Sequence, residues 1–203
     1  MIYIEYSDKD PKYLEIWGDK TDFYCLYTLL LDIVDESNFS LKKQGISDFF
    51  VFHDLMNGTR KAHYGQRLMQ NHSKLSHYDH DEVGFEINFY TFIYSWSCVK
   101  INHELIENEK LLDSFILMID HFLERAINNN DNIENPADLL KVIQKKLMKG
   151  NKYPYQFMVS GEEAFLEEKD VQKAYALIPV LLQESSPLST AYRQTLENIK
   201  NQQ

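Results

Sequence analysis

The stretch Val83-Gly84-Phe85-Glu86-Ile87-Asn88-Phe89-Tyr90-Thr91-Phe92, running on into Ile93-Tyr94-Ser95-Trp96, decides the fold class. Val83, Phe85, Ile87 and Phe89 oppose Glu86 and Asn88 with the two-residue period of a half-buried strand. From Tyr94 onward the apolar period becomes helical, so a sheet is expected to end before residue 95 and helices to fill the rest of the chain.

Upstream, residues 1–6 and 12–17 also alternate, and Ser7-Asp8-Lys9-Asp10-Pro11 between them supplies turn formers. An antiparallel hairpin is expected, with Tyr13 and Glu15 pointing one way and Leu14 and Ile16 the other. Asp19 or Thr21 is expected to cap a helix to about Asp35, because Phe23, Leu26, Tyr27, Leu30, Leu31 and Val34 recur at helical spacing. After a polar connection from Ser37 to Gln44, the aromatic and β-branched run Asp48 to His53 reads as a buried third strand, with Val83 to Phe92 the fourth. Leu68 to Glu82 lacks sustained periodicity and reads as a loop with room for a short strand.

Downstream, helices are expected from Tyr94 to about Asn108 and from Lys110 to Asn128, followed by a polar loop through Asn132. Asn135-Pro136 pairs an N-cap residue with a proline at the first helical position, and Gly150 supplies a stop. Ser160 or Gly161 opens a last long helical region whose acidic first turn, Glu162-Glu163, suits the positive end of the helix dipole. Pro179 should kink or divide that region, and Ser186-Pro187 restarts a terminal helix to about Lys200. The expectation is an α+β chain: a small, mostly antiparallel sheet of about four strands in the N-terminal half, packed against helices, and a helical C-terminal half. Residues 1–203 read as a single domain, with 128–134 the candidate for a weak subdivision.

A formal net charge of −10 over 203 residues disfavours nonspecific attraction to nucleic acid or anionic membranes. The first residues lack the pattern of a secretion signal, and the apolar stretch Leu111 to Leu123 is broken by Asp113 and Asp120, so no membrane span is expected. Cys25 and Cys98 form neither a zinc-type pair nor a disulfide framework, which points to a reducing cytoplasm. Both read as small buried groups rather than activated thiolates.

Five of the seven histidines lie between His53 and His80, around the densest basic stretch, Arg60-Lys61-Ala62-His63-Tyr64-Gly65-Gln66-Arg67. Arg60, Lys61, His63 and Arg67, with Gly58 and Gly65 permitting close backbone approach, are the candidate anion site for a carboxylate or phosphate. The order of a phosphate-binding loop is absent. The competing expectation is that these cations pair with Asp54 and Glu86 or lie solvated on a helix. His72, His77 and His80, with Asp79 or Asp81, offer metal donors at permissive spacing, and a hydrated histidine-rich loop is the plainer reading. His103, Glu104 and Glu107, and likewise Asp120, His121 and Glu124, fall short of a carboxylate-bridged site because the chain contains no Glu-x-x-His. No cofactor is expected. Among the abundant tyrosines, Tyr90 is a candidate partner anchor if it sits on the outer face of its strand.

Arg60-x-Ala62-x-x-Gly65-x-Arg67 resembles a segment that follows a strand in a family of small, uncharacterised bacterial proteins, a domain of unknown function. The likeness extends to the opening hairpin with Gly18-Asp19, the passage from Phe85 to Trp96, and the end of the late helix near Ser185-Ser186-Pro187. It implies an α+β domain in a bacterial cytoplasm and supplies no reaction and no catalytic residue; the loop from His72 to His80 departs from the family pattern. The leading functional expectation is a non-enzymatic protein-interaction or regulatory protein, immunity-like, with a protein partner or homo-oligomer and no nucleic acid. The alternative is a protein or enzyme that binds a small anion through Arg60 and Arg67, with or without a histidine-held divalent metal.

Overall fold

The hairpin forms where the alternation is strictest. In a computed structural model, which describes residues 1–41, 49–70, 82–102, 109–147 and 155–182, strands β1 (Tyr3–Tyr6) and β2 (Tyr13–Gly18) pair antiparallel, Ile4 opposite Ile16. Strand β4 (Glu82–Asn88) adds to β2 with Phe85 opposite Ile16, and the short β3 (Leu68–Gln70) closes the sheet on the far side of β4. All pairings are antiparallel and the spatial order is β1-β2-β4-β3. Leu14, Ile16, Phe85 and Ile87 are buried on the inner face, as the period-two pattern requires.

Helix α2 (Phe49–His63) packs on β4 at that inner face, and α1 (Lys20–Leu41) packs beside α2 and reaches the sheet through Phe23, edge-on to Phe85. Asp19, rather than Thr21, caps α1: its carboxylate accepts the Asp22 amide at 2.8 Å. The expected third strand at Asp48 to His53 is a correction, because residues from Phe49 onward are helical. Buried Val51, Phe52, Leu55, Met56, Thr59 and Ala62 continue a helical stripe well past His53, which a six-residue window hides. The sheet's remaining strand is instead the short one within Leu68 to Glu82.

The expected strand from Val83 to Phe92 also ends early. Asn88 is the reason: its side-chain oxygen accepts the Thr91 amide at 2.8 Å, capping α3 (Phe89–Asn102) directly after β4. Helix α3 is buried all round from Phe89 to Ser97 and forms the centre of the molecule. Around it lie α4 (Glu109–Asn128), α5 (Pro136–Leu147), α6 (Tyr155–Glu167) and α7 (Val171–Leu181). Helix α6 begins before Ser160, so Glu162 and Glu163 are interior helix positions, contrary to expectation. The division of this region comes at Asp170, which caps α7 by accepting the Lys173 amide, and Pro179 sits in the last turn of α7 without splitting it. Gly150 and the stretch from Ser186 to Lys200 lie outside the described residues.

The architecture is α+β, with the four-stranded antiparallel sheet in the N-terminal half and helices dominating the C-terminal half. One contiguous apolar cluster runs from Ile2 to Leu182 through every helix. Among the described residues no helix is long and apolar enough to cross a membrane.

Candidate functional site

The basic stretch is the end of a helix. The Gln66 amide donates to the Lys61 carbonyl at 2.9 Å and the Gly65 amide to the Ala62 carbonyl at 2.8 Å, while Gly65 adopts φ 63°. This pair of bonds with a left-handed residue is a Schellman stop, which satisfies carbonyls that the helix leaves unpaired. Ala62 is fully buried, and Arg60, Lys61 and His63 occupy the last turn, where cations oppose the negative end of the helix dipole. Gly58 has a packing role as well: a Cβ there would lie 2.3 Å from the Phe85 ring. Both glycines that the sequence offered for ligand approach therefore serve the helix and its seat on the sheet.

The side chains do not form one pocket. Arg60 donates to Asn57 Oδ1 at 3.2 Å and borders a shallow cleft of about 180 Å³ with Tyr27, His53 and Met56. That is below the range of about 300–1,000 Å³ typical of small-molecule sites. His63 turns toward α1, donating from Nδ1 to the Lys20 carbonyl at 2.9 Å. Lys61 is half-buried, and Arg67 is exposed on the segment leading to β3. Asp54 pairs with His53 at 3.0 Å and Glu86 accepts from Ser7, so neither neutralises these cations. Among the described residues no carboxylate pairs with Arg60, Lys61 or Arg67.

What the structure does assemble is aromatic. The His63 ring packs between Tyr24 and Tyr64, with centroids 5.2 and 4.8 Å away, and those tyrosines are 54% and 62% exposed. Gly65 lies beside both Lys20 and Met69, the latter 56% exposed. Three of the seven large apolar side chains exposed among the described residues thus gather at one spot, with Lys20 beside it. Sequence reasoning missed this convergence, since Tyr24 and Tyr64 are distant in the chain; its trace was Tyr24 four residues after Lys20, on one helix face.

No protein-family model, curated protein or solved structure matches the chain. Its chemistry is read from its own residues.

Tyr90 is a further correction: it lies in the first turn of α3, 1% exposed, stacked near Phe165 with its hydroxyl against Gly161. Burial, and then the Glu162 charge, raises its ionisation well above the ordinary tyrosine value. Burial likewise pushes the Tyr6 hydroxyl up to about 12 and Tyr175 further still, so all three are neutral at neutral pH. Asp120 accepts from the Trp96 indole at 2.9 Å and pairs with Lys100, a structural use. Cys25 and Cys98 are half-buried against the core. Among the described residues no three His, Cys, Asp or Glu side chains are grouped to hold a metal ion. His72, His77, His80, Asp79, Asp81, His103, Glu104 and Glu107 lie outside the described residues.

The outer face of the sheet carries a second charged feature. Glu5, Glu15 and Glu86 are direct cross-strand neighbours on β1, β2 and β4. Like charges in that register repel.

Proposed function

We propose that this chain is a non-enzymatic protein-binding module, regulatory or immunity-like, working in a bacterial cytoplasm, and that its binding face is the end of α1 and α2 around His63. The observation that carries this reading is the gathering of Tyr24, Tyr64 and Met69 about His63 and Gly65, with Lys20 beside Gly65 and Arg60, Lys61 and Arg67 close by in the chain. Tyrosine gives large, rigid contact area at low entropic cost, and arginine and tyrosine dominate the energetic centres of interfaces. Cations without a carboxylate partner among the described residues call for an acidic surface on the partner, which also overcomes the repulsion that a −10 chain exerts on acidic proteins at long range. The resemblance of Arg60-x-Ala62-x-x-Gly65-x-Arg67 to a bacterial family belongs to the same proposal.

The test is a pulldown from the source cells with the parent chain and with Tyr24→Ser/Tyr64→Ser. These exposed positions leave melting unchanged to within about 0.5 kcal/mol of stability. The reading expects one stoichiometric acidic partner, retained by the parent, released by salt and lost from the double variant. Absence of a stoichiometric partner, or its full retention by the variant, overturns the reading.

The small-anion reading survives in a narrower form, as weak capture by Arg60 and Arg67. Its support is that neither has a carboxylate partner among the described residues; the small cleft and the negative helix end oppose it. A phosphate titration that shifts melting in the parent and not in Arg60→Ala separates it from the protein-binding reading.

A further inference from the structure

The two edges of the sheet are treated differently. Helix α4 packs along β1, with the Phe122 ring 6.3 Å from that of Tyr3, centroid to centroid. At the opposite edge, β3 packs against β4 and, among the described residues, against no other element to a comparable extent. An edge strand turns alternate N–H and C=O groups outward, and these are a template for a strand from another chain.

That edge adjoins the His63 patch. A methyl on Gly65, between α2 and β3, would lie 3.7 Å from Lys20 Nζ and 4.0 Å from Met69 Sδ, so the ammonium and the thioether flank one glycine. The Lys20 carbonyl accepts the His63 ring, and His63 packs against Tyr24 and Tyr64. Met69, the middle residue of β3, and the two tyrosines are exposed, as is Arg67 directly before the strand. Among the described residues neither Lys20 nor Arg67 has a carboxylate partner. Short, charged edges ordinarily serve to prevent association, and a strand as brief as Leu68–Gln70 holds a partner poorly by its backbone alone. Exposed methionine and tyrosine beside the edge work against such protection and add the contact area that the short strand lacks. A second copy of this chain is a poor occupant, because joining β3 to β3 brings Lys20 and Arg67 together with cations of the same kind.

We propose that the open edge of β3 receives an extended, acidic segment of a partner protein as an added strand. Its backbone pairs with Leu68–Gln70, its carboxylates face Lys20 and Arg67, and its alternate apolar side chains lie on Met69 and the tyrosines. This rests on the protein-binding reading and names the form in which the partner binds. The charge of the edge selects an acidic strand over a basic one, and the backbone groups select an extended segment over a helix.

The probe is a short fluorescent peptide of alternating glutamate and valine, titrated against the full chain by anisotropy, with hydrogen exchange of the chain's amides as a second readout. The peptide is expected to bind and to slow exchange within Leu68–Gln70. The same peptide with its central backbone amides methylated, and its lysine-for-glutamate analogue, should each bind at least tenfold more weakly. Lys20→Glu/Arg67→Glu, at two exposed positions, should melt like the parent and reverse the preference in favour of the lysine peptide. Failure of the glutamate peptide to bind overturns the proposal, as does undiminished binding of the methylated peptide or unchanged exchange in β3 while the peptide is bound. Protection of β3 in the free chain that disappears on dilution assigns the edge to a second copy and overturns it too. These outcomes leave the wider reading standing, which falls instead if the partner captured in the pulldown is fully retained by Tyr24→Ser/Tyr64→Ser.

Discussion

Gly58→Ala separates a glycine kept for packing from one kept for a ligand. In an open helix interior the change should stabilise, since alanine is favoured over glycine by about 0.8–1.0 kcal/mol. At this site the new methyl would meet three ring carbons of Phe85 at 2.3, 2.5 and 2.8 Å, whereas relaxed carbon contacts need about 3.5–4.0 Å. The ring has no room to retreat: Phe85 is 1% exposed on central strand β4 and packs edge-on against Phe23, centroids 5.7 Å apart. Helix α2 must therefore lift from the sheet by more than about 1 Å, an overpacking that costs about 1–3 kcal/mol. Taking the upper part of that range for a blocked ring and subtracting about 1 kcal/mol of helix propensity leaves a net loss of about 2 kcal/mol. For a chain of this size that is a fall of about 4–8 °C in melting temperature. Urea unfolding followed by tryptophan fluorescence measures it, and the pair Gly58→Ala/Phe85→Leu should be less unstable than the sum of its single changes by at least about 0.5 kcal/mol. A neutral or stabilising Gly58→Ala refutes the packing account and returns Gly58 to the list of residues free to approach a ligand.

Three other substitutions probe the remaining devices. Gly65→Ala places a side chain at φ 63° and should cost about 1–2 kcal/mol in urea unfolding, with Gly65→Asn milder; equal losses from both would contradict the Schellman stop. Glu15→Gln removes the middle charge of the Glu5–Glu15–Glu86 row while keeping the oxygen that accepts the Trp17 indole at 3.2 Å. It should stabilise by about 0.2–1 kcal/mol, more at low salt than at high, and a loss of stability would show that the row is not repulsive. Asp19→Ala should cost about 1 kcal/mol at pH 7 through loss of the α1 cap. Although partial burial pushes the Asp19 carboxyl up, the Asp22 amide and neighbouring groups hold it below the usual value. Its stabilisation is thus present above the unfolded value of about 3.9 and lost as the pH falls through the lower folded value. The gap between parent and variant should therefore narrow from pH 7 to pH 3 in thermal melts, and a constant gap would rule out an ionised cap.

Strict alternation made β1, β2 and most of β4 legible, since period two has no helical counterpart over six residues. Asp48 to His53 was not legible, because a short aromatic, β-branched run fits a buried strand and a helix start equally well; only Leu55, Met56, Thr59 and Ala62 beyond it reveal the helical stripe. Asn88 shows the same limit at one residue. Its side chain ends β4 and starts α3, yet in sequence it reads as one more polar position in an alternating strand. At the candidate site, the cations and Gly65 were visible, but the rings that give the surface its character meet only through the packing of α1 on α2.

Helix termination alone explains much of what made Arg60 to Arg67 conspicuous. A helix that must stop favours a glycine able to adopt positive φ just past its end, and cations in its last turn, so a basic cluster around a glycine arises without any ligand. Termination does not explain Tyr24, Tyr64 and Met69. Single exposed apolar groups are ordinary on any protein, but three in one place around an imidazole forgo the burial that would have stabilised the fold, and nothing within the described residues compensates. The site's claim to function thus rests on its aromatic exposure more than on its charge. The charges then bear on the choice of partner, because on a chain of net −10 this local positive surface favours approach by an acidic face.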